Sequence, residues 1–289
     1  MKLTIFTPAY NRAGMLPRLF QSLLRQTNFD FEWLIVDDGS TDETEQLVSS
    51  FVNKASFPVR YVYKENGGKH TAHNAALKYA QGKWFFCVDS DDYLADGAVD
   101  IIIQSTRSLA DNQGIIAYKE EVTGKRLSGE FPRDVPFAGL NSLAFTYGCT
   151  GEFSLIFPTA LLQKYPFPVF EGEKFVTESV VYDRIEQDSE MLLLRKTVTI
   201  CEYQAEGYSQ NANRLMRHNP LGYCLYFLQR VDISPTVRQK LVCAGKYWCF
   251  RWIANTPELR YSGKHKALFI FSIPLGALFR IYYRFVRGI

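Results

Sequence analysis

The sequence predicts an α/β protein built on a parallel β-sheet. In the N-terminal third of the chain, short apolar and β-branched runs alternate with segments whose apolar residues recur at helical spacing. Strands and helices that alternate in this way form right-handed βαβ units, which place helices on both faces of a parallel sheet. The composition agrees, because 47% of the 289 residues are hydrophobic and 22% are charged, as in globular domains.

The individual elements follow from the same patterns. The N-terminal strands are predicted at Leu3–Thr7, Phe31–Val36, Val59–Tyr63 and Trp84–Val88. The helices between them are predicted to begin beside Pro17, at a capping box formed by Ser40-Thr41-Asp42-Glu43, and after Gly67-Gly68. Residues 120–150 predict a loop-rich crossover, and beyond it we expect strands at Glu152–Phe157 and Thr197–Tyr203 and helices at Thr177–Gln187, Leu221–Phe227 and Pro235–Ile253.

Polar clusters follow the N-terminal strands at the points where the strands end. These clusters are Thr7–Arg12, Asp37–Thr41, Lys64–His70 and Asp89–Asp92. Open parallel sheets bind ligands beyond the carboxyl ends of their strands. The sequence therefore predicts one binding site to which all four clusters contribute.

The cluster Asp89-Ser90-Asp91-Asp92 is the first candidate for chemistry. Its three carboxylates repel one another, and a bound divalent cation would offset that cost. Mg²⁺ or Mn²⁺ held by one or two carboxylates, with substrate phosphates completing the shell, is the usual arrangement. The alternative is a turn followed by a helix N-cap, for which Asp and Ser are favoured residues.

The other clusters have a binding interpretation and a structural one. One acid of Asp37-Asp38 is free to accept hydrogen bonds from a nucleobase or ribose, or the pair serves a tight turn. Tyr10 stacks on a base or fills the hydrophobic core. Lys69, beside two glycines, meets a phosphate or is simply solvated, and the segment lacks the spacing of a P-loop.

Taken together, these segments closely resemble family 2 glycosyltransferases of the GT-A fold. The matching segments are Thr7-Pro8-Ala9-Tyr10-Asn11-Arg12, Trp33-Leu34-Ile35-Val36-Asp37-Asp38-Gly39-Ser40-Thr41-Asp42, Asn66-Gly67-Gly68-Lys69-His70-Thr71-Ala72 with Asn74, and Val88-Asp89-Ser90-Asp91-Asp92. The resemblance covers residues 1–100 and implies a Rossmann-like half that binds a nucleotide-sugar, most often a UDP-sugar. The GT-A fold that it implies has a mixed, mostly parallel sheet, to which we add a C-terminal helical region.

The resemblance also implies roles for individual residues. Pro8 and Tyr10 would line the base, and Asp38 would accept a hydrogen bond from uracil. The donor diphosphate and ribose would be held by Lys69, Asp89 and Ser90, with the metal ion on Asp91 and Asp92. Which of Asp91 and Asp92 binds the metal more directly stays open.

Beyond residue 100 the resemblance implies a catalytic base near the start of a helix. Glu178 occupies that position, but Ser179 stands where a second acid is usual, which leaves Asp183 and Glu173 as alternatives. A helix N-terminus lowers the pKa of a carboxylate, so a residue there stays ionised and ready to accept a proton. The structural alternative is a helix-dipole carboxylate without a chemical role. The segment from Gly207 to His218, with Arg214 and Arg217, is a candidate lid over the donor.

The C-terminal region differs from the rest of the chain in charge. Residues 1–229 contain 22 Lys+Arg and 28 Asp+Glu, a balance of −6, whereas residues 230–289 contain 11 and 2, a balance of +9. Ala267–Phe279 carries no charge and is followed by arginines and aromatic residues, as in helices that lie at a membrane interface. The alternative is a terminal helix packed on the core. No recognisable nucleic-acid motif accompanies the basic residues, so we expect no nucleic-acid partner.

These observations predict an inverting, metal-dependent glycosyltransferase of polysaccharide or glycolipid biosynthesis, acting on a saccharide or lipid-linked acceptor. The expected regions are a nucleotide-sugar-binding half (1–118), an acceptor-binding half (119–218) and a basic helical region (219–289) on the cytoplasmic face of a membrane. Six cysteines without Cys-x-x-Cys spacing agree with a reducing compartment. The alternatives are a nucleotidyltransferase on a similar fold and a non-catalytic nucleotide- or membrane-binding protein.

Overall fold

The computed structural model describes residues 1–202, 212–256 and 258–287. The chain forms two compact units. The first contains Met1–Pro166 and Arg184–Gln204, and the second contains Phe167–Asp183 and Ala205–Ile289.

The first unit is built on one mixed β-sheet, which has nine strands in the described part of the chain. The strands are β1 (Leu3–Ala9), β2 (Phe31–Asp37), β3 (Val59–Tyr63), β4 (Trp84–Cys87), β5 (Asp92–Leu94), β6 (Gly114–Glu121), β7 (Phe137–Ala138), β8 (Phe153–Pro158) and β9 (Met191–Cys201). Their order is β3-β2-β1-β4-β8-β6-β9-β5, and β7 pairs with β9. The first four strands are mutually parallel, and β8 is antiparallel to β4 and β6.

Helices α1 (Leu16–Leu24), α2 (Thr44–Val52), α3 (Lys69–Tyr79) and α4 (Ala98–Ser105) follow strands of this sheet, and α5 (Leu140–Phe145) and α6 (Thr159–Lys164) lie farther along the chain. Aromatic residues dominate the core: the ring of Phe20 lies 4.2 Å from that of Phe51 and 5.9 Å from that of Trp33. Burying each such side chain contributes about 2 kcal/mol, so these contacts hold α1 and α2 on the sheet.

The second unit is helical in its described part. Its helices are α7 (Ser179–Ile185), which begins in it, α8 (Ala212–His218), α9 (Pro220–Ile233), α10 (Val237–Ala254), α11 (Lys266–Phe271) and α12 (Ile273–Tyr282), followed by a π-helical turn at Tyr283–Arg287. Thr236 and Gln239 form a capping box at the start of α10. None of the described helices is long and apolar enough to cross a membrane.

The α/β class, the mixed sheet and the C-terminal helices confirm the predicted fold, but three local predictions are wrong. Strand β9 spans Met191–Cys201, so it begins six residues before the predicted start at Thr197. Ser40 does not cap α2, because its hydroxyl accepts a hydrogen bond from the Asn11 backbone N–H at 2.9 Å, and Asp42 accepts from the Thr44 N–H instead. Residues 120–150 are also not simply a crossover. Strand β6 ends inside this range, and β7 and α5 lie within it.

Candidate active site

The parallel register brings the polar clusters of the first unit to one edge of the sheet. Ala9 is paired with Asp37, and Asp37 with Tyr63, so β1, β2 and β3 end side by side. Hydrogen bonds then link the loops that follow: the Asn11 side chain accepts from the Thr41 N–H at 2.8 Å. The expectation that the clusters share one edge holds in the structure.

The Asp38 carboxylate links the loop after β2 to the loop after β3. Its buried carboxylate accepts from Gly67 N–H at 2.9 Å, Gly68 N–H at 2.6 Å and Lys64 Nζ at 2.5 Å. The Asn66 amide adds a contact of 3.3 Å. A carboxylate offers about four lone-pair sites, so the loop donors fill the capacity of Asp38.

Asp37 has a different function from its neighbour. It accepts from the Ser40 N–H at 2.7 Å and from the Tyr61 hydroxyl at 2.7 Å, and so closes the turn after β2. Burial, together with the hydrogen bond to Asp37, raises the pKa of Tyr61. The turn requires Gly39, whose φ is +84° and where a Cβ atom would lie 2.8 Å from the Asn66 backbone nitrogen. Both acids therefore have structural partners.

Exposed aromatic side chains stand at the ends of two parallel strands. Tyr10 follows β1 and is 49% exposed, whereas Pro8 is partly buried within β1. Tyr63, which was not predicted as a site residue, ends β3 and is 58% exposed. Such rings are available for stacking on a planar group.

The carboxylates of the acidic cluster Asp89–Asp92, after β4, lie in different environments. Asp89 forms an ion pair with Lys69, the first residue of α3, at 2.7 Å and is 38% exposed. Burial acts against its ionisation, but Lys69 and Lys119 outweigh that effect and lower its pKa. Ser90 is buried, and the Asp92 N–H donates to the Asp89 carbonyl at 3.0 Å, which closes the turn.

Asp92 points into the protein. Its side chain is 5% exposed and its Oδ2 lies 2.6 Å from the Nζ of Lys119. Burial raises the pKa of Asp92 to about 6, Lys119 opposes the shift, and the carboxylates of Asp89 and Asp91 add to it. Asp91, in contrast, is partly exposed, and its carbonyl accepts from Arg18 at 2.7 Å.

The carboxylates of Asp89 and Asp91 suit a divalent ion that takes most of its other ligands from water and substrate. In the described part of the chain, no group of three or more His, Cys, Asp or Glu side chains is arranged to hold a metal. The Asp91 carboxylate has no hydrogen-bond or ion-pair partner within that same part, and Asp89 lies two residues before it. Mg²⁺ and Mn²⁺ accept such a site when waters and substrate phosphates complete the shell.

Comparison with protein families now identifies the chain. The model described as Glycosyl transferase family 2 matches residues 4–161, which is more than half of the sequence. The chain belongs to glycosyl transferase family 2.

Curated relatives match about a third of the chain. Chondroitin synthase of Pasteurella multocida is 40% identical over 101 residues, which cover 35% of this chain and 10% of that protein. Poly(ribitol-phosphate) beta-N-acetylglucosaminyltransferase TarS of Staphylococcus aureus is 38% identical over 96 residues, 32% of this chain and 17% of that protein. The matching segments thus span less than a fifth of these relatives.

Solved structures extend the likeness in fold over nearly the whole chain. S. aureus TarS 1-349 in complex with UDP-GlcNAc has a TM-score of 0.61 at 20% identity, covering 98% of this chain and 87% of that one. The mannosyltransferase PcManGT from Pyrobaculum calidifontis, in complex with GDP-Man and Mn²⁺, has a TM-score of 0.56 at 18% identity, covering 98% and 82%. At these identities the likeness shows the shared GT-A fold.

In the second unit of this family 2 chain, the candidate bases differ in their surroundings. Glu173 is buried and accepts from the Leu221 and Gly222 N–H groups at 2.6 and 2.9 Å, so it caps α9. Asp183 is buried and forms an ion pair with Arg230 at 3.1 Å. Glu178 is partly buried and directly precedes α7.

The candidate lid lies only partly within the described residues. Residues 207–211 are outside them, and Arg214, Arg217 and His218 belong to α8. The exposed His218 ring contacts the Arg214 carbonyl at 2.9 Å.

Sequence reasoning placed Lys64 in a polar cluster without assigning it a role, and it missed Arg18 and Lys119. The first two contact Asp38 and Asp91, and the third neutralises Asp92. Lys119 had one available signal, since it is a charged residue at the end of the apolar run Ile115–Tyr118. Nothing in the local sequence specified its partner.

Proposed function

We propose that the protein is an inverting glycosyltransferase that moves a sugar from a UDP-sugar to a hydroxyl of a saccharide or lipid-linked acceptor. The observation that carries the proposal is the Asp89–Asp92 turn beside Lys69, at the carboxyl edge of parallel strands in a family 2 chain. TarS, which this chain resembles in fold, has been solved with UDP-GlcNAc, which supports a UDP-sugar donor, whereas PcManGT, with a similar likeness, has been solved with GDP-Man.

The residues of the first unit are assigned to the donor. Tyr10 stacks on the uracil ring beside Pro8, and the uracil N–H replaces one of the loop donors of Asp38. Lys69 turns from Asp89 towards the diphosphate, since an ammonium group interacts strongly with phosphate oxygens. Asp89 and Ser90 face the ribose and diphosphate.

The metal assignment favours Asp91 over Asp92. Asp91 with Asp89 would hold Mg²⁺ or Mn²⁺, whereas Asp92 already neutralises Lys119 inside the protein. When bound, the cation would offset negative charge on the departing diphosphate. Asp92 then acts by holding the turn.

Glu178 is assigned as the base. Its carboxylate takes the proton of the acceptor hydroxyl while that oxygen forms the bond to the anomeric carbon, and the bond from this carbon to the diphosphate breaks, releasing UDP. Glu173 and Asp183 are less suited to this role, because both are buried and already serve as partners of α9 and Arg230.

Calorimetric titration with UDP, with and without Mn²⁺, tests the donor site. We expect binding to the wild type to tighten in Mn²⁺, and D91N to bind UDP equally with and without the ion. The matched control is D96N, since Asp96 is 80% exposed and pairs only with Arg25 among the residues that the structure describes. Absence of UDP binding in both conditions would refute the donor assignment.

Product analysis separates the remaining functions. A transferase incubated with UDP-sugars and saccharide acceptors releases UDP, whereas a nucleotidyltransferase releases pyrophosphate from a nucleoside triphosphate. UDP binding without turnover for any donor and acceptor would favour a non-catalytic protein.

We further propose that the C-terminal helices lie on the cytoplasmic face of a membrane. Several large apolar side chains of α11 and α12 are exposed, among them Phe271 at 78% and Leu278 at 62%. This contact would bring the enzyme to a lipid-linked acceptor.

A further inference from the structure

An apolar stripe runs along the exposed side of the last helices. It consists of Phe271, Pro274, Leu278, Ile281 and Phe285, which recur every three or four residues and are all exposed. Phe285 is 77% and Ile281 is 55% exposed. On the opposite side of α12, Gly276 packs closely against α10, since an added Cβ would lie 2.6 Å from the Trp248 Cβ. The stripe is therefore the face that α12 leaves uncovered in this unit.

Cations of the same helical segment lie off the stripe. Arg280, Arg284 and Arg287 are spaced by four and three residues, which on a helix places them towards the side of Gly276. Among the residues that the structure describes, none of the three forms an ion pair with a carboxylate. Residues 230–289 carry a balance of +9, so this region of the sequence has few acids to balance its cations.

A cavity of about 320 Å³ opens beside Arg287. Its lining includes the side chains of Met216, Lys246, Phe279, Tyr282, Tyr283 and Arg287. The Nζ of Lys246 lies 5.1 Å from the ring centre of Phe227 and 5.9 Å from that of Phe279. Lys246 makes no ion pair within the described ranges, so the cavity combines two cations with an aromatic wall.

We infer that this cavity binds the phosphate of an anionic lipid headgroup, with the apolar stripe seated among the acyl chains. Lys246 and Arg287 supply donors for phosphate oxygens, and the tyrosines form an amphipathic edge of the kind found at membrane interfaces. The inference rests on the proposed membrane contact and is independent of the sugar transfer.

A second copy of the chain fits the surface less well. Self-association through the stripe would cover its apolar side chains but would supply no anion to Lys246 and Arg287 in the cavity. A free phosphate would use Lys246 and Arg287 but would leave the stripe uncovered. A lipid provides a phosphate for Lys246 and Arg287 and acyl chains for the apolar stripe.

Vesicle co-sedimentation of the full chain tests the inference. We expect binding to phosphatidylglycerol vesicles and little binding to phosphatidylcholine vesicles. The double variant K246Q/R287Q should lose affinity for the anionic vesicles about 25-fold, because each cation near such a surface contributes on the order of a fivefold factor. The charge-matched control R238Q/K264Q, at two exposed positions outside the cavity, should change it about threefold at most.

Each other outcome has a defined meaning. If the two double variants lose affinity for anionic vesicles equally, the headgroup site is overturned. Binding would then depend only on the total positive charge of the region. Absence of binding of the wild type to anionic vesicles would overturn the membrane contact as well. Release of the protein by millimolar inorganic phosphate at constant ionic strength would assign the cavity to free phosphate. UDP titration of the same samples reports separately on the donor site.

The apolar stripe is tested by L278S/I281S. Both side chains are exposed, so this variant should keep the thermal stability of the wild type. We expect weaker binding to anionic vesicles with an unchanged dependence on salt, since the cations remain in place. A chain that dimerises through the stripe would instead sediment as a dimer without lipid and become monomeric in this variant, which would overturn the lipid assignment.

Discussion

The Nζ of Lys119 lies 2.6 Å from the Oδ2 of Asp92, and the two side chains are only 13% and 5% exposed. Lys119 is in β6, whereas Asp92 begins β5 and ends the acidic turn after β4. Burial alone would lower the pKa of Lys119, but the carboxylates of Asp92 and Asp89 raise it. The pair thus fixes the inner end of the turn that carries Asp91 at its exposed position.

Loss of one partner from this pair should destabilise the protein strongly. We expect K119M to lower the free energy of unfolding by about 3–5 kcal/mol, because it leaves the Asp92 carboxylate buried without its cation. Urea denaturation measures this change. The control is K125M, since Lys125 is 73% exposed and lies 3.5 Å from the carboxylate of Glu121. Its loss should cost about 0.5 kcal/mol or less, and equal effects of the two variants would contradict the assigned role of Lys119.

The contact between the loops after β2 and β3 should depend on Gly39. A Cβ in G39A would approach the Asn66 backbone nitrogen to 2.8 Å, in addition to the strain of φ at +84°. Gly124 is a matched control, because its φ is +81° and nothing lies within 4 Å of the position that a Cβ atom would take there. We expect G124A to cost about 1 kcal/mol and G39A to cost clearly more and to weaken UDP binding. Calorimetry and urea denaturation together test the pair, and similar costs would show that the loop contact is unimportant.

Local patterns were sufficient to predict the N-terminal elements. Strand β3 has the predicted bounds, and β2 extends the prediction by one residue to Asp37. These strands are apolar or β-branched runs flanked by polar turns, so their ends are specified by adjacent residues. Ser40 shows where local reasoning fails: its partner is the Asn11 N–H, 29 positions away, and this contact replaces the helix cap.

The pairings that organise the candidate site could not be predicted. Lys119 and Asp92 are 27 positions apart and meet only because both β5 and β6 pair with β9. Asp37 and Asp38 are recognisable in the sequence as an unusual pair of acids. Which of them closes the turn and which binds the neighbouring loop depends on the loop after β3. Asp38 receives the backbone N–H groups of Gly67 and Gly68, a contact that has no signature in the sequence around either segment.

His73 should contribute a loss of stability as the pH is lowered below 6.5. Its ring is buried between those of Phe6 at 5.6 Å and Phe85 at 5.1 Å, and burial lowers its pKa from 6.5 to about 3. Between these two pH values the unfolded chain binds the extra proton, so the free energy of unfolding rises with pH in this window. This group alone should cost about 2 kcal/mol between pH 7 and pH 5.

Urea denaturation at pH 7 and pH 5 measures the contribution of His73. We expect H73F to keep an aromatic side chain in the core and to show a smaller loss of stability between the two pH values. The exposed control H218Q should behave as the wild type does. An unchanged pH dependence in H73F would mean that His73 is not buried in its neutral form.

The assignment of Glu178 as the base makes a prediction about three acids of the second unit. Given a UDP-sugar donor, E178Q should lower kcat by about 10²–10⁴-fold with little effect on UDP binding or on the urea midpoint. E173Q and D183N should act in the opposite way, because Glu173 holds the first N–H groups of α9 and Asp183 neutralises Arg230. Each should lose about 1–4 kcal/mol of stability while the folded fraction keeps most of its turnover. Steady-state kinetics at saturating donor, combined with denaturation of the same samples, separates the two effects. Wild-type turnover in E178Q together with an inactive but stable E173Q or D183N would move the base to one of those residues.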